Sequence, residues 1–320
     1  MNKNLVGVDI GGTTIKIGLF KNEGEVIDKW EIPTDKTSKG DQIPIDIWKS
    51  IEQKMIDYDL DISTIAGIGV GAPGFIDAKK GVILIGVNIG WNDFELGKKL
   101  SDLSSLPVYM DNDANVAAIG ENWRGSGDLV DNLIVVTLGT GVGGGIIANG
   151  KIVSGSNGTA GEIGHITVEK EGGAPCNCGR SGCLETVTSA TGIARQALEA
   201  VNEGKDTKLA ERYKMKNKLT AKDVFDLANE GDLVSQEIVN HVTDVLGYSI
   251  ASVATVINPS KIIIGGGVSK AGENLLRPLR RAFEQYALPR IIEGSEFEVA
   301  TLGNDAGIYG GAYLVKQNIG

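Results

Sequence analysis

The chain has 320 residues, 42% hydrophobic and 22% charged, with a formal net charge of −10. That length exceeds what one hydrophobic core usually supports, so two domains are expected. An acidic surface of this kind argues against nucleic acid and anionic membranes as main partners, and no apolar run approaches the roughly 18 residues that span a bilayer, so a cytoplasmic location is expected.

Met1-Asn2-Lys3-Asn4 leads directly into a short apolar run, unlike a signal peptide. Residues 5–10 read as a strand, 11–14 as a tight loop, 15–20 as a second strand, Asn22-Glu23-Gly24 as a hairpin turn and 25–32 as a third strand. A helix is predicted over 45–58, where Ile47, Trp48, Ile51, Met55 and Ile56 recur at helical spacing. A strand over 65–70 ends in Gly71-Ala72-Pro73-Gly74. A short strand over 108–110 precedes Asn112-Asp113-Ala114-Asn115 and a helix to about Trp123.

The opening then repeats. Residues 133–138 read as a strand, Gly139-Thr140-Gly141 as a loop, 144–148 as a returning strand, Asn149-Gly150 as a hairpin turn and 151–153 as the start of a third strand. Gly11 aligns with Gly139 without a gap, which indicates internal duplication. Helical spacing marks 188–202, 221–230 and 233–257, the last stopped by Asn258-Pro259. A buried-type strand over 261–264 breaks into Gly265-Gly266-Gly267, and helices are predicted over 272–286 and after Gly307.

Many of the 45 glycines fall just after apolar runs, where a backbone can approach a ligand closely. In Asp9-Ile10-Gly11-Gly12-Thr13-Thr14 the glycines let backbone N–H groups face phosphate oxygens, the threonine hydroxyls add donors, and Asp9 suits Mg²⁺ held through water. Alone, this pattern fits a plain hairpin equally well. A second loop at Gly139, Thr140 and Gly141 and a third glycine surface at Gly265, Gly266 and Gly267 together favour a nucleotide held between two duplicated halves.

All three cysteines fall between Cys176 and Cys183, and His165 is one of two histidines. His165, Cys176, Cys178 and Cys183 complete a four-ligand structural zinc site. Such a cluster in an otherwise cysteine-free chain argues against a disulfide framework. Asp113 lies near a helix N-terminus, where the dipole favours an ionised carboxylate. That suits a base accepting the proton of a sugar hydroxyl, and equally suits a helix cap. Asn88 near Trp91, Glu162 and Glu185 are polar groups in glycine-rich turns suited to sugar hydroxyls.

Asp9-Ile-Gly-Gly-Thr-Thr-Ile-Lys16, Gly71-Ala-Pro-Gly74, Asn112-Asp-Ala-Asn115, Glu162-Ile-Gly-His165, the Cys176–Cys183 knuckle and Gly265-Gly-Gly267 resemble the ROK family of repressors and sugar kinases, from Asp9 to about Gly311. Residues 136–150 and Asn88-Ile-Gly-Trp91 resemble its bacterial glucokinases. The resemblance implies an α/β, actin/hexokinase-like fold: two duplicated ribonuclease-H-like domains around a cleft, a small one over 1–113 plus 303–320 and a large one over 114–302. It implies Asp113 as the general base, Gly74, Asn112, Glu162, His165 and Glu185 as sugar contacts, and His165, Cys176, Cys178 and Cys183 as zinc ligands. The implied reaction is ATP-dependent phosphorylation of glucose at its 6-hydroxyl with Mg²⁺, by a homodimer. Two alternatives stand beside it: a kinase for fructose, mannose, N-acetylmannosamine or N-acetylglucosamine, and a sugar-responsive repressor. The repressors carry an N-terminal winged-helix segment, whereas eight residues precede Asp9 here.

Overall fold

The computed structural model describes residues 3–86 and 88–319. Met1 and Asn2, read above as free of a leader, lie outside them. Strands β1 (Asn4–Ile10), β2 (Thr14–Phe20) and β3 (Val26–Pro33) form an antiparallel meander. Helix α1 (Ile43–Asp57) then leads to β4 (Ile65–Ala72), parallel to β1. Short strands β5 (Phe75–Asp77), β6 (Val82–Gly86) and β7 (Trp91–Phe94) make a separate antiparallel sheet. Helix α2 (Leu96–Ser104), strand β8 (Val108–Asn112), parallel to β4, and helix α3 (Asp113–Arg124) follow.

The second half begins with β9 (Leu133–Leu138), β10 (Val142–Ala148) and β11 (Lys151–Ile152). Helices α4 (Leu184–Thr188), α5 (Ala190–Asn202), α6 (Lys208–Lys216), α7 (Ala221–Asn229) and α8 (Leu233–Ile257) come next. The chain finishes with β12 (Lys261–Gly265), α9 (Glu273–Tyr286), α10 (Pro289–Gly294), β13 (Glu296–Val299) and α11 (Ala306–Ile319).

The two large sheets have the orders β3-β2-β1-β4-β8 and β11-β10-β9-β12-β13. Each is an antiparallel meander extended by two parallel strands, which is the predicted duplication. The gap-free alignment needs one correction. Ile10 pairs with Ile15 around a four-residue turn, whereas Leu138 pairs with Val142 around a three-residue turn. The repeats therefore slip by one residue inside the loop. The predicted helix over 188–202 also starts differently. Ser189 is extended, and its hydroxyl accepts the Gly192 N–H at 3.0 Å, so α5 is capped there and α4 is a separate turn.

Sequence periodicity misses α2, α6, the β5–β7 sheet and β13. In α6 only Leu209 is buried, so the helix carries almost no apolar stripe. Strands β5–β7 are three to five residues long, too short for alternation to register. Among the described residues no helix is long and apolar enough to cross a membrane.

One apolar core lies between the first sheet and α1 and α2, and another between the second sheet and the helices α4–α9. Helices α11 and α3 join the halves. Helix α11 lies on β1 and β4, where a Cβ on Gly7 would sit 1.8 Å from the Ile308 carbonyl oxygen and one on Gly69 equally close to that of Gly311. Helix α3 lies on β10, with Gly145 against Ala118. The two helices meet backbone to backbone: a Cβ on Gly310 would sit 1.7 Å from the Val116 oxygen. Contacts this short leave no room for any side chain.

Gly310→Ala is therefore expected to destabilise the protein by about 1–3 kcal/mol through overpacking. Gly294→Ala, at an open position, should be close to neutral. Denaturant unfolding of both variants checks this, and equal midpoints would contradict the seam.

Candidate active site

A cleft of about 810 Å³ opens between the halves. The ends of β1, β4, β8 and β9 and the N-termini of α3 and α11 face it. Asp113, Glu162, His165 and Glu185 line it together, along with Gly74, Asn88 and Asn112. The sugar-contact positions proposed from sequence thus converge.

Asn112 is the N-cap of α3. Its Oδ1 accepts the Ala114 N–H at 2.9 Å, and its Nδ2 donates to the Gly74 carbonyl at 3.0 Å. Asp113 is then the first helical residue. One of its oxygens shares the Ala114 N–H at 2.9 Å, and the carboxylate stays accessible from the cleft. The cap reading that competes for Asp113 in the sequence is taken by its neighbour. Asp111 anchors the strand end beneath: it is buried and accepts the Asn112 N–H at 2.7 Å, the Asn115 amide at 2.9 Å and the Ser154 hydroxyl at 3.2 Å.

The cleft crowds its carboxylates. Asp113 is reachable by solvent at its tip, yet walls on both sides strip it of water, and this desolvation raises its pKa against the opposing Ala114 N–H. Burial, reinforced by the Asp113 charge and opposed by Lys16, pushes Asp9 up to about 6. Burial also raises Glu162; the Asp113 and Glu185 charges add to the shift and His165 opposes it.

His165 closes a short 3-10 turn over Ile163–His165. Its Nδ1 lies 3.6 Å from Cys176 Sγ, and its Nε2 lies 4.0 Å from Glu162 Oε2. Cys178 Sγ and Cys183 Sγ are 3.6 Å apart, and all four donor atoms fall within 4.8 Å of one another. Tetrahedral zinc, with bonds of about 2.0 Å to nitrogen and 2.3 Å to sulfur, separates its ligand atoms by roughly 3.5–3.8 Å. The donor set and its spacing fit that ion. The knuckle turns through Gly179 and Gly182, both at positive φ.

Glu185 lies just past Cys183, on α4. Its Oε2 accepts the Val142 N–H at 3.0 Å, and its Oε1 lies 3.6 Å from Cys176 Sγ. The Ala190 N–H donates to the Gly139 oxygen at 2.8 Å, and the Thr191 hydroxyl to the Thr140 oxygen at 2.6 Å. The knuckle thus carries the helix start that holds the 139–141 turn.

Of the proposed nucleotide positions, Asp9, Gly139, Gly141 and Gly266 line the cleft. Gly11, Gly12, Thr13 and Thr14 are not among the lining residues; they form the turn that follows Asp9, closed by the Gly11 N–H on the Thr14 oxygen at 3.0 Å. Thr140, Gly265 and Gly267 flank the lining residues. Lys16 and Asn304 also line the cleft and escape the sequence reading. Lys16 pairs across the hairpin with Asp9, and that register is the signal that points to it. Asn304 arrives from the far end of the chain, beyond any local pattern.

A ROK family model matches residues 5–318. A glucokinase of Halalkalibacterium halodurans is 56% identical over 312 residues, covering 98% of this chain and 94% of that protein. The crystal structure of a ROK family transcriptional regulator, a homologue of the Escherichia coli Mlc protein, superposes with a TM-score of 0.85 at 27% identity; the match covers 99% of this chain and 78% of that one. A ROK family glucokinase from Streptomyces griseus, in complex with glucose and AMPPNP, superposes with a TM-score of 0.76 at 33% identity, covering 98% of this chain and 99% of that one. The duplicated fold, the cleft and this match along nearly the whole length lead to one assignment: the chain belongs to the ROK family.

Proposed function

We propose that the protein is an ATP-dependent glucokinase, transferring the terminal phosphoryl group of ATP to the 6-hydroxyl of glucose. The observation that carries this reading is the solvent-accessible Asp113 carboxylate lining the cleft, in a chain 56% identical to a glucokinase. Asp113 accepts the proton of the attacking hydroxyl and aims that oxygen at the phosphorus. Asn112, Glu162, His165, Glu185 and the Gly74 backbone orient the other hydroxyls. The turns over 11–14 and 139–141 and the glycines 265–267 present backbone N–H groups to the phosphates and a flat surface to the adenosine. Lys16 adds positive charge on the Asp9 side.

Asp9 is the candidate Mg²⁺ contact, since its raised pKa marks a crowded carboxylate that a cation would relieve. A Mg²⁺ ion held by Asp9 would supply positive charge for the phosphoryl oxygens. We assign zinc to His165, Cys176, Cys178 and Cys183 as a structural ion, with His165 holding it through Nδ1 and turning Nε2 toward Glu162. The small unit, 1–113 plus 303–320, closes on the large unit, 114–302, and excludes water as a competing acceptor. A homodimer is proposed through the α8–α9 face, where Tyr248, Val256, Tyr286 and Leu288 are exposed.

A coupled assay with ATP and a hexose panel tests the reading; it should show preference for glucose, and strong preference for an acetamido sugar would overturn it. In that assay Asp113→Asn should lower kcat by at least about 10²–10⁴-fold while sparing glucose affinity.

The ionised form of Asp113 is the active one and its pKa is raised. Activity should therefore fall as pH drops through that raised value, and the acid limb of kcat/KM should lie above the ordinary carboxylate range near about 4. A limb at or below that range contradicts the role.

Native mass spectrometry should read one zinc per chain in a dimer. Cys176→Ser should lose zinc and weaken glucose binding roughly 10-fold or more. A zinc-free variant with wild-type glucose affinity would break the link between knuckle and sugar site.

A further inference from the structure

Glu121 is a carboxylate only 2% exposed, and the proposed chemistry does not use it. It lies on α3, about 12 Å along the axis from Asp113 at 1.5 Å rise per residue. Its Oε1 accepts the Leu302 N–H at 2.9 Å; its Oε2 accepts the Thr301 N–H at 3.1 Å and the Ser126 N–H at 3.3 Å. Three donors offset much of the cost of burying the charge. The fit is close: a Cβ on Gly125 would lie 1.9 Å from Oε2.

Thr301 and Leu302 belong to the stretch that returns from β13 to α11. The next residues, Gly303 and Asn304, line the cleft. Asp305 then pairs with Lys29 at 2.5 Å and with Lys16 at 4.0 Å on the first sheet. At the start of α11, Gly307 packs against Asp9, where a Cβ would sit 2.4 Å from the carboxylate carbon. The return stretch is thus gripped on one side by Glu121 and on the other by the lysines of the meander. What it presents between these grips is the wall of the cleft beside Asp9.

We infer that Glu121 is a positioning residue for the nucleotide half of the site, setting Gly303, Asn304 and the start of α11 against the phosphates. The inference rests on the kinase reading above. It requires a carboxylate specifically. The N–H groups of adjacent residues go to different oxygens, and both oxygens must accept. Glutamine offers one acceptor and turns an NH₂ toward an N–H.

Glu121→Gln should therefore lower kcat/KM for ATP by about 10²-fold, the scale expected when a distant change misplaces reacting groups. Its AMPPNP affinity should fall in titration calorimetry while glucose affinity stays at the wild-type value. Asn304→Ala removes the side chain so placed, and should reproduce the ATP defect at an unchanged unfolding midpoint. Wild-type ATP parameters in either variant overturn the inference. So does a Glu121→Gln protein that loses glucose and AMPPNP affinity in equal proportion, which marks a merely structural role. If Glu121→Gln does not fold, Asn304→Ala decides alone. A wild-type protein that binds AMPPNP yet does not phosphorylate glucose defeats the kinase reading, whereas loss of the AMPPNP difference defeats this inference.

Discussion

The structure depends on one contact, the backbone seam between α3 and α11. Gly310 rests on the Val116 carbonyl, and Gly120 rests on that of Ala306. Each helix also lies on a different sheet, so this seam sets the distance between the duplicated halves. Both helices begin at the cleft. Their spacing places Asp113, at the head of one, within electrostatic reach of Asp9, which packs on the head of the other. A side chain at the seam would separate the helices and widen the cleft in which every proposed role is played.

Crowding is the second consequence. Asp9, Asp113 and Glu162 are brought into one concave space with Lys16 as their cationic neighbour, and burial raises all three carboxyls. A site built this way is poised for cations and for hydroxyl protons, the two things phosphoryl transfer to a sugar brings to it. The knuckle serves the same space mechanically. His165 reaches from the Cys176–Cys183 knuckle toward Glu162, and Glu185, just past Cys183, accepts the Val142 N–H that follows the 139–141 turn. One small cluster of donor atoms therefore sits against two parts of the cleft, at Glu162 and at Val142.

Much of this was legible in the chain. The glycine-broken hairpins disclosed the duplication because each glycine marks a bend that side chains would obstruct. The candidate metal-binding cluster was legible because cysteine is rare here and all three fall in one knuckle. Asp113 was ambiguous, since its position suits a cap as well as a base. The structure gives the N-cap position to Asn112 and leaves the Asp113 carboxylate accessible from the cleft. The β5–β7 sheet and α6 were hidden, because short or nearly all-polar elements carry no periodic stripe.

The sequence by itself determined the family, the order of strands in each repeat, the cluster of candidate metal ligands and most of the polar residues of the cleft. These follow from local pattern: spacing, glycine placement and side-chain chemistry. Tertiary structure alone decided that Asn304 joins the site and that Glu121 grips the return stretch. Each of these depends on residues far apart in the chain meeting across a packed seam, and no local pattern encodes such a meeting.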